Sequence, residues 1–286
     1  MLPSRVAAHL KTSVTLNGLA IPFTQAVGSL ARFCRPIAFF NEGSDYELSM
    51  AGSAVAVRVL GQNVLVSSLH QLGKGASERD PGEAVMIIDT EAGQRAITGN
   101  EASRLRLGPA GQMSIQDVFI LRFDDRRDDR DLRPWFCRLD IDQFKSPVDL
   151  PAGSKILAYI AIGFPSAHQV YGFEWDEETS SVTPGDIRSR WVRVFLEETE
   201  RTAWDKDGLL PFQIDVEQTE AIGDLDGLSG SPILMLYQET DLQAHFAVAG
   251  MILWGNKLGR INAYPGGLLQ GALRRLAESR RSARFS

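Results

Sequence analysis

Cysteine is nearly absent from this sequence of 286 residues, which contains only Cys34 and Cys137. A disulfide framework needs several pairs, so that class of cross-linked domain is excluded. Both cysteines lie among apolar residues, which favours two buried thiols, and a single disulfide between them stays open. No group of cysteines and histidines has the spacing of metal ligands. We therefore expect no metal and no cofactor. The low number of cysteines favours the cytoplasm as the location, because disulfide frameworks are typical of oxidising compartments.

Long hydrophobic runs and an excess of positive charge are absent as well. No apolar stretch approaches the roughly 20 residues that span a bilayer. The N-terminal residues lack the unbroken hydrophobic region of a signal peptide. The formal net charge is −6 at pH 7, which disfavours nucleic acid as a partner. We expect neither a membrane nor a nucleic acid among the partners of this chain.

The chain does contain many short β-rich runs, separated by Gly, Pro, Asp and Ser. Examples are "SAVAVRVL", "KILAYIAIG" and "HFAVAGMILWG". Short strands with turns between them predict an all-β barrel or sandwich. Two segments predict helices. One is "TQAVGSLARF" near the start, and the other is the C-terminal segment, where Leu269, Ala272, Leu273 and Leu276 form an apolar stripe.

Two stretches are rich in charge. Residues 123–134, "FDDRRDDRDLRP", alternate in sign and end at a proline, which fits a solvated linker between two halves of the chain. Calcium binding by its aspartates is a weaker alternative, because the interleaved arginines compete for the carboxylates. Residues 174–186, "EWDEETSSVTPGD", are expected to form an exposed loop.

Three polar residues stand at positions suited to chemistry. His70 ends the β-branched run "NVLVSSLH", and the ends of strands are where rigid scaffolds present catalytic groups. Asp117 opens "DVFILRF", where a carboxylate is costly to bury without a partner such as a histidine N–H. Ser229 lies between glycines in "GDLDGLSGSPILML". That turn alone does not distinguish a nucleophile from a polar loop.

Four segments, taken in chain order, resemble the landmark segments of chymotrypsin-like (trypsin-fold) serine peptidases. They are "VLVSSLH", "QDVFILRF", "GLSGSP" and "AGMILWG". The resemblance is greatest to bacterial trypsin-like members without structural disulfides, and it covers roughly residues 35–281. It implies an all-β fold of two packed antiparallel six-stranded β-barrels with a C-terminal α-helix.

The same resemblance implies a division of the chain. Residues 1–34 would form an N-terminal extension with a short helix, and residues 35–286 would form the peptidase domain. Within that domain we expect barrel one at about 35–133, barrel two at about 134–264 and the helix at about 266–281.

The resemblance also implies the roles of the site residues. His70 would be the general base, Asp117 its orienting acid and Ser229 the nucleophile. A serine hydroxyl is a poor nucleophile until an imidazole takes its proton, and a buried carboxylate fixes the tautomer of that imidazole. The backbone N–H groups of Gly227 and Ser229 would form the oxyanion hole.

The substrate would be a protein or peptide whose backbone pairs with the strand segment Leu253, Trp254 and Gly255. Gly223 takes the position where trypsin-type members carry an aspartate, so a preference for Lys or Arg does not follow. With Ala221, Ile222 and Trp254 as expected walls, small or medium apolar residues are predicted at P1, the residue before the cleaved bond. The rival prediction is that Asp224 turns inward and selects basic residues.

Three leucines depart from the family pattern: Leu69, Leu228 and Leu253. Leu253 replaces a serine that hydrogen-bonds the catalytic aspartate, a donor that Ser67 or Ser68 could supply instead. Two hypotheses follow. The chain is a serine endopeptidase, or it is a catalytically silent trypsin-fold protein that binds peptide segments or acts as a scaffold. The sequence leaves its oligomeric state open.

Overall fold

The computed structural model describes residues 13–40, 48–72, 80–90, 93–105, 117–127, 130–133, 137–176 and 181–283. In chain order the first strands are β1 Ser13–Leu16, β2 Leu19–Pro22, β3 Cys34–Phe40, β4 Leu48–Val59, β5 Gln62–Ser68, β6 Ala84–Thr90, β7 Gly93–Thr98, β8 Glu101–Arg104, β9 Val118–Phe123 and β10 Arg126–Arg127. The chain continues with β11 Arg130–Asp131, β12 Leu139–Asp140, β13 Lys155–Gly163, β14 Gln169–Asp176, β15 Ser181–Ser189, β16 Val192–Glu198, β17 Leu210–Ile214, β18 Pro232–Gln238, β19 Ala244–Gly255 and β20 Arg260–Pro265. The α-helices are α1 Phe23–Ala31, α2 Val216–Ile222 and α3 Gly266–Ala283.

Two sheets dominate the molecule. The first follows the order β7-β6-β3-β4-β5-β9-β8, and β12 joins β4 in parallel. The second contains β18-β13-β16-β17-β20-β19, and a further pairing between β18 and β19 closes these strands into a six-stranded barrel. The predicted fold class of two barrels with a C-terminal helix is confirmed. The first barrel is the more open of the two, because its seven strands form a half-barrel with β7 and β8 at the ends.

The core explains why the strand-forming runs are apolar throughout. In β4, Val55 and Val57 pack between the two barrels, whereas Ala54 and Ala56 fill the interior of the first. Strands β13 and β19 show the same division between the interface and the interior of the second barrel. A strand buried on both faces has no position for an alternating polar residue. These strands therefore lie where the two barrels meet.

The C-terminal helix α3 packs across both barrels. Leu269, Ala272 and Leu273 are buried in the core between the barrels. Near the end of the helix, the Arg280 guanidinium lies 2.9 Å from the carboxylate of Glu101 in β8 of the first barrel. The apolar stripe and this ion pair fix the helix against the rest of the molecule.

The expectation of a loop at residues 174–186 was wrong for residues 174–176 and 181–186, which are strands, whereas residues 177–180 lie outside the described residues. Strands β14 and β15 pair antiparallel along their length, from Gln169 with Ser189 to Asp176 with Ser181. The charged residues do not prevent this pairing, because the backbone forms the ladder and the alternating residues of "QVYGFEW" have high strand propensity. The predicted linker at 123–134 contains a further short hairpin, β10 with β11. Its residues 128, 129 and 134 lie outside the described residues.

The described part of the N-terminal extension packs on the second barrel. Strand β1 pairs in parallel with β19 and antiparallel with β2. In the turn between β1 and β2, the Asn17 side chain donates to Arg138 O at 2.8 Å and accepts from Asp140 N at 3.1 Å. Residues 1–12 of the predicted extension lie outside the described residues.

Both cysteines are free thiols. Cys34 is buried, and its Sγ donates to Ile162 O at 3.3 Å. Burial raises the pKa of the Cys34 thiol far above its usual range, so this thiol stays protonated and unreactive. Among the described residues, no cluster of three or more His, Cys, Asp or Glu side chains is placed to hold a metal ion. In the same part of the chain, no helix combines the length and the apolarity needed to cross a bilayer.

Candidate active site

The pairing of β5 with β9 brings His70 and Asp117 together. Ser68 at the end of β5 pairs with Val118 at the start of β9. A short 3₁₀ helix, Leu69–Leu72, follows β5 and turns the His70 side chain toward Asp117, which directly precedes β9. The backbone N–H of His70 donates to Asp117 Oδ1 at 2.8 Å, and the ring nitrogen Nδ1 of His70 lies 2.6 Å from Asp117 Oδ2. Both carboxylate oxygens therefore hold the same histidine.

Ser229 comes from the second barrel, on the tight turn that leads into β18. Gly230 N donates to Ile252 O at 2.8 Å, and Ser231 N donates to Leu228 O at 3.0 Å. Gly230 has a φ of +82°, and a side chain there would collide with the backbone of Ser53. Only glycine fits this conformation and this close approach. The turn places Ser229 Oγ 3.0 Å from His70 Nε2.

The three side chains form one hydrogen-bonded chain from Asp117 through His70 to Ser229. A carboxylate accepts hydrogen bonds, so Asp117 holds the proton of the neutral imidazole on Nδ1. The lone pair on Nε2 then faces the Ser229 hydroxyl. The Asp117 side chain is 14% exposed and the His70 side chain 40%, so the carboxylate is sheltered while the imidazole faces the cleft. This arrangement can remove a proton from the hydroxyl.

The Ser229 hydroxyl has a second acceptor within reach. Ser229 Oγ donates to Leu253 O at 2.8 Å. The Leu253 side chain is fully buried in the core, so this residue presents only its backbone to the site. The next residue, Trp254, stacks on the His70 ring at 6.4 Å between ring centres.

The two backbone N–H groups predicted to form the oxyanion hole differ in their partners. Gly227 N donates to the carboxylate of Asp226 at 3.1 Å. Within the described part of the chain, no acceptor lies within hydrogen-bond distance of Ser229 N. The N–H of Ser229 is therefore open to a ligand, whereas the N–H of Gly227 is covered by the Asp226 carboxylate.

The departures from the family pattern have structural explanations. Leu69 packs in the interior of the first barrel and Leu228 in the interior of the second. In the part of the chain that the structure describes, neither Ser67 nor Ser68 donates to Asp117. Ser67 Oγ donates within the first barrel, and Ser68 Oγ is buried with no hydrogen-bond partner among the described residues.

A cleft of about 400 Å³ adjoins Ser229 and His70. Its lining includes four of the residues predicted to bind substrate, namely Gly223, Asp224, Trp254 and Gly255. It also includes Leu225, Asp226, Asn256 and Lys257. Ile222 does not form the expected apolar wall, because its side chain is buried in the core of the second barrel. The wall next to Gly223 is instead acidic.

Sequence reasoning missed two residues of the first barrel that hold the nucleophile turn, Ser53, whose Oγ donates to Gly227 O at 2.7 Å, and Gln71. Gln71 Nε2 donates to Ser229 O, although the two residues are 158 positions apart. Its place directly after His70 was the only available signal, and glutamine at the end of a strand suggests no particular role.

No model of a known protein family matches this chain, and no curated protein sequence matches it. Among solved structures, the chain is similar to human heparin binding protein, with a TM-score of 0.44 and 10% sequence identity. The similarity covers 85% of this chain and 90% of that one. The assignment to the trypsin-like two-barrel fold class rests on the strand order and barrel closure described above.

Proposed function

We propose that this protein is a serine endopeptidase that hydrolyses peptide bonds through His70, Asp117 and Ser229. The observation that carries the proposal is the alignment of the three side chains within hydrogen-bond distance, with 2.6 Å between Asp117 and His70 and 3.0 Å between His70 and Ser229. These distances suit a nucleophile, its base and the group that orients the base.

The geometry supports an acyl-transfer mechanism. His70 Nε2 accepts the Ser229 proton as Oγ attacks the carbonyl carbon of the peptide bond. The open N–H of Ser229 donates to the developing oxyanion, and Gly227 N contributes once the Asp226 carboxylate has moved away. The proton on His70 then passes to the leaving amine. Water, activated by the same imidazole, releases the acyl group from Ser229.

Strand β19 offers an edge for the substrate backbone. Its ladder with β18 ends at Met251, whereas Trp254 and Gly255 pair with β20 on the opposite edge. Beyond Met251, the described residues add no further strand on the side facing Ser229. An extended peptide could pair there and bring its carbonyl to the nucleophile.

The first test is labelling with a fluorophosphonate probe, which reacts with activated serines. The parent protein should be labelled and should cleave peptides, whereas Ser229→Ala should lose both activities and keep its circular dichroism spectrum. Ser231→Ala is the matched control, because its buried hydroxyl lies on the same turn and has no hydrogen-bond partner in the described residues. Labelling that persists in Ser229→Ala would place the nucleophile elsewhere.

The alternative is a catalytically silent trypsin-fold protein that binds peptide segments. Two observations favour it, the bond from the Ser229 hydroxyl to Leu253 O and the carboxylate on Gly227 N. A folded parent protein that is not labelled but binds peptides in a Trp254-dependent manner would support this alternative.

A further inference from the structure

We infer that Gln71 is a positioning residue, which holds the Ser229 turn of the second barrel in register with His70 of the first. The inference rests on the proposed hydrolase function. It concerns how the nucleophile is kept in place by a buried polar network formed by Ser53, Ser67 and Gln71.

Gln71 makes a direct bridge between the two barrels. It lies one residue after His70 in the 3₁₀ helix, and it is 8% exposed. Its Nε2 donates to Ser229 O, and its Oε1 accepts from Ser67 Oγ at 2.9 Å. The opposite orientation of the amide would set Oε1 against Ser229 O, which is also an acceptor. One side chain therefore links the segment that carries the base to the residue that carries the nucleophile.

Ser53 holds the same turn at a second point. Its Oγ donates to Gly227 O at 2.7 Å and accepts from Phe164 N at 2.8 Å. Ser67 Oγ lies 2.6 Å from Ser53 O and 2.9 Å from Gln71 Oε1, and its single proton can be donated to only one of these two acceptors at a time. The carbonyl before Leu228 and the carbonyl of Ser229 are thus both fixed by side chains of the first barrel. Rotation of the backbone between them would break at least one of these bonds.

Two glycines let the backbone pack closely against the network. A side chain at Gly52 would collide with Gln71 Nε2 and approach Gly227 O to 2.8 Å. A side chain at Gly230 would approach Ser67 Oγ to 2.6 Å. Ser53 and Ser67 have no exposed surface. Buried hydrogen bonds of this kind are costly to break, because the polar groups left behind have no water to replace the lost partner.

A small displacement of Ser229 relative to His70 would slow the reaction. Productive transfer between Ser229 Oγ and His70 Nε2 requires positions held within about 0.5 Å. Loss of the Gln71 bond would free one end of the turn, while the cleft lining that binds ligand would stay in place. We therefore expect the chemical step to slow by about 10–100-fold, with little change in binding.

The test compares the kinetics of fluorophosphonate labelling in the parent and in Gln71→Met, which keeps the length and volume of the side chain but cannot donate or accept these bonds. The maximal labelling rate constant should fall about 10–100-fold, while the probe concentration at half-maximal rate stays within about threefold of the parent value. Asn63→Leu is the control. Asn63 is also a buried amide of the first barrel, and it bonds to Asp125 and not to the Ser229 turn. It should lose stability without losing labelling rate.

The outcomes separate the two proposals. A parent protein without Ser229-dependent labelling would defeat the proposed function. Rapid labelling of the parent together with an unchanged rate in folded Gln71→Met would overturn the role of Gln71 alone. If Gln71→Met does not fold, Ser67→Ala removes the hydroxyl that reaches both Gln71 Oε1 and Ser53 O. It should then lower the maximal rate several-fold, and an unchanged rate would reject the inference.

Discussion

At the scale of single residues, the reactivity of Ser229 depends on where its one hydroxyl proton points. Leu253 O and His70 Nε2 lie at 2.8 Å and 3.0 Å from Oγ, and a hydroxyl donates to one acceptor at a time. Only the conformer that faces His70 leads to attack. The position of the Ser229 turn decides how these two conformers compete, which is why bonds to its backbone carbonyls matter.

The Asp226 carboxylate is a second feature that limits the reactivity of Ser229, because it occupies the Gly227 N–H. It accepts from Gly227 N and would repel a negative oxygen placed in the same position. We expect Asp226→Ala to label about 3–10-fold faster than the parent, because a freed backbone donor stabilises the oxyanion. The measurement is the maximal labelling rate constant at neutral pH.

Asp226→Asn is the matched control, since its side-chain oxygen can still accept from Gly227 N but carries no charge. Its rate should fall between those of the parent and Asp226→Ala. A slower reaction in Asp226→Ala would mean that the carboxylate supports the turn instead of obstructing it.

At the scale of elements, the loop between β16 and β17 is held beside the cleft by a buried ion pair. The Asp205 carboxylate is fully enclosed and pairs with the Arg260 guanidinium of β20. Lys206 N donates to Asn262 Oδ1 at 3.0 Å, and Lys206 Nζ lies 5.7 Å from the centre of the Trp254 ring. The ion pair therefore positions a cation above one wall of the cleft.

This ion pair should make stability depend on acid pH. Hydrogen bonds from the Arg260 side chain hold the pKa of Asp205 well below its usual range. A lowered pKa gives stability that is complete above the ordinary carboxyl value of about 4 and is lost as the pH falls below it. Urea unfolding at pH 7 and pH 3 should show a smaller pH effect in Asp205→Asn than in the parent.

Asp207→Asn is the control for that experiment. Asp207 lies in the same loop and is fully exposed, with the Arg201 guanidinium 3.8 Å from its carboxylate. Its pH dependence should match that of the parent, because exposed pairs contribute little. Equal pH dependence in Asp205→Asn and the parent would contradict the assignment.

At the scale of the whole molecule, the site exists only where the two barrels meet. His70 and Asp117 come from the first barrel and Ser229 from the second, with the cleft along the second. The lining of the cleft carries charges of both signs, since Lys257 lies in it together with Asp224 and Asp226.

Specificity at P1 belongs to this scale. Asp224 Oδ1 accepts from Asp226 N at 3.0 Å, but one such bond does not remove the charge of the carboxylate or block its second oxygen. Because Ile222 forms no apolar wall and Asp224 and Asp226 line the cleft, the structure favours the rival prediction, in which a lysine or arginine at P1 pairs with a carboxylate. A peptide library varied at P1 measures the preference. We expect a preference for Lys or Arg that disappears in Asp224→Ala, and a preference for small or medium apolar residues would restore the apolar prediction.

The sequence by itself predicted an all-β fold, and its resemblance to trypsin-fold peptidases predicted the two barrels and the three residues of the hydrogen-bonded chain. Apolar runs such as "SAVAVRVL" and "KILAYIAIG" carry strand propensity and burial within a few residues, so local patterns suffice to predict them. The β14–β15 hairpin was not predicted, because its stretch is rich in charged residues, whereas its pairing depends on hydrogen bonds between backbone groups.

Tertiary structure alone decided the features that control the nucleophile. The bond from Gln71 to Ser229 O has no local signature, whereas the bond from Gly227 N to the Asp226 carboxylate joins adjacent residues. Gln71 meets Ser229 across 158 positions, because the contact depends on how two independently patterned barrels pack. The position of Asp226 depends on how the turn beside it is folded. Local sequence fixes which face of a strand is buried, whereas only packing fixes which distant polar atoms come within 3 Å of each other.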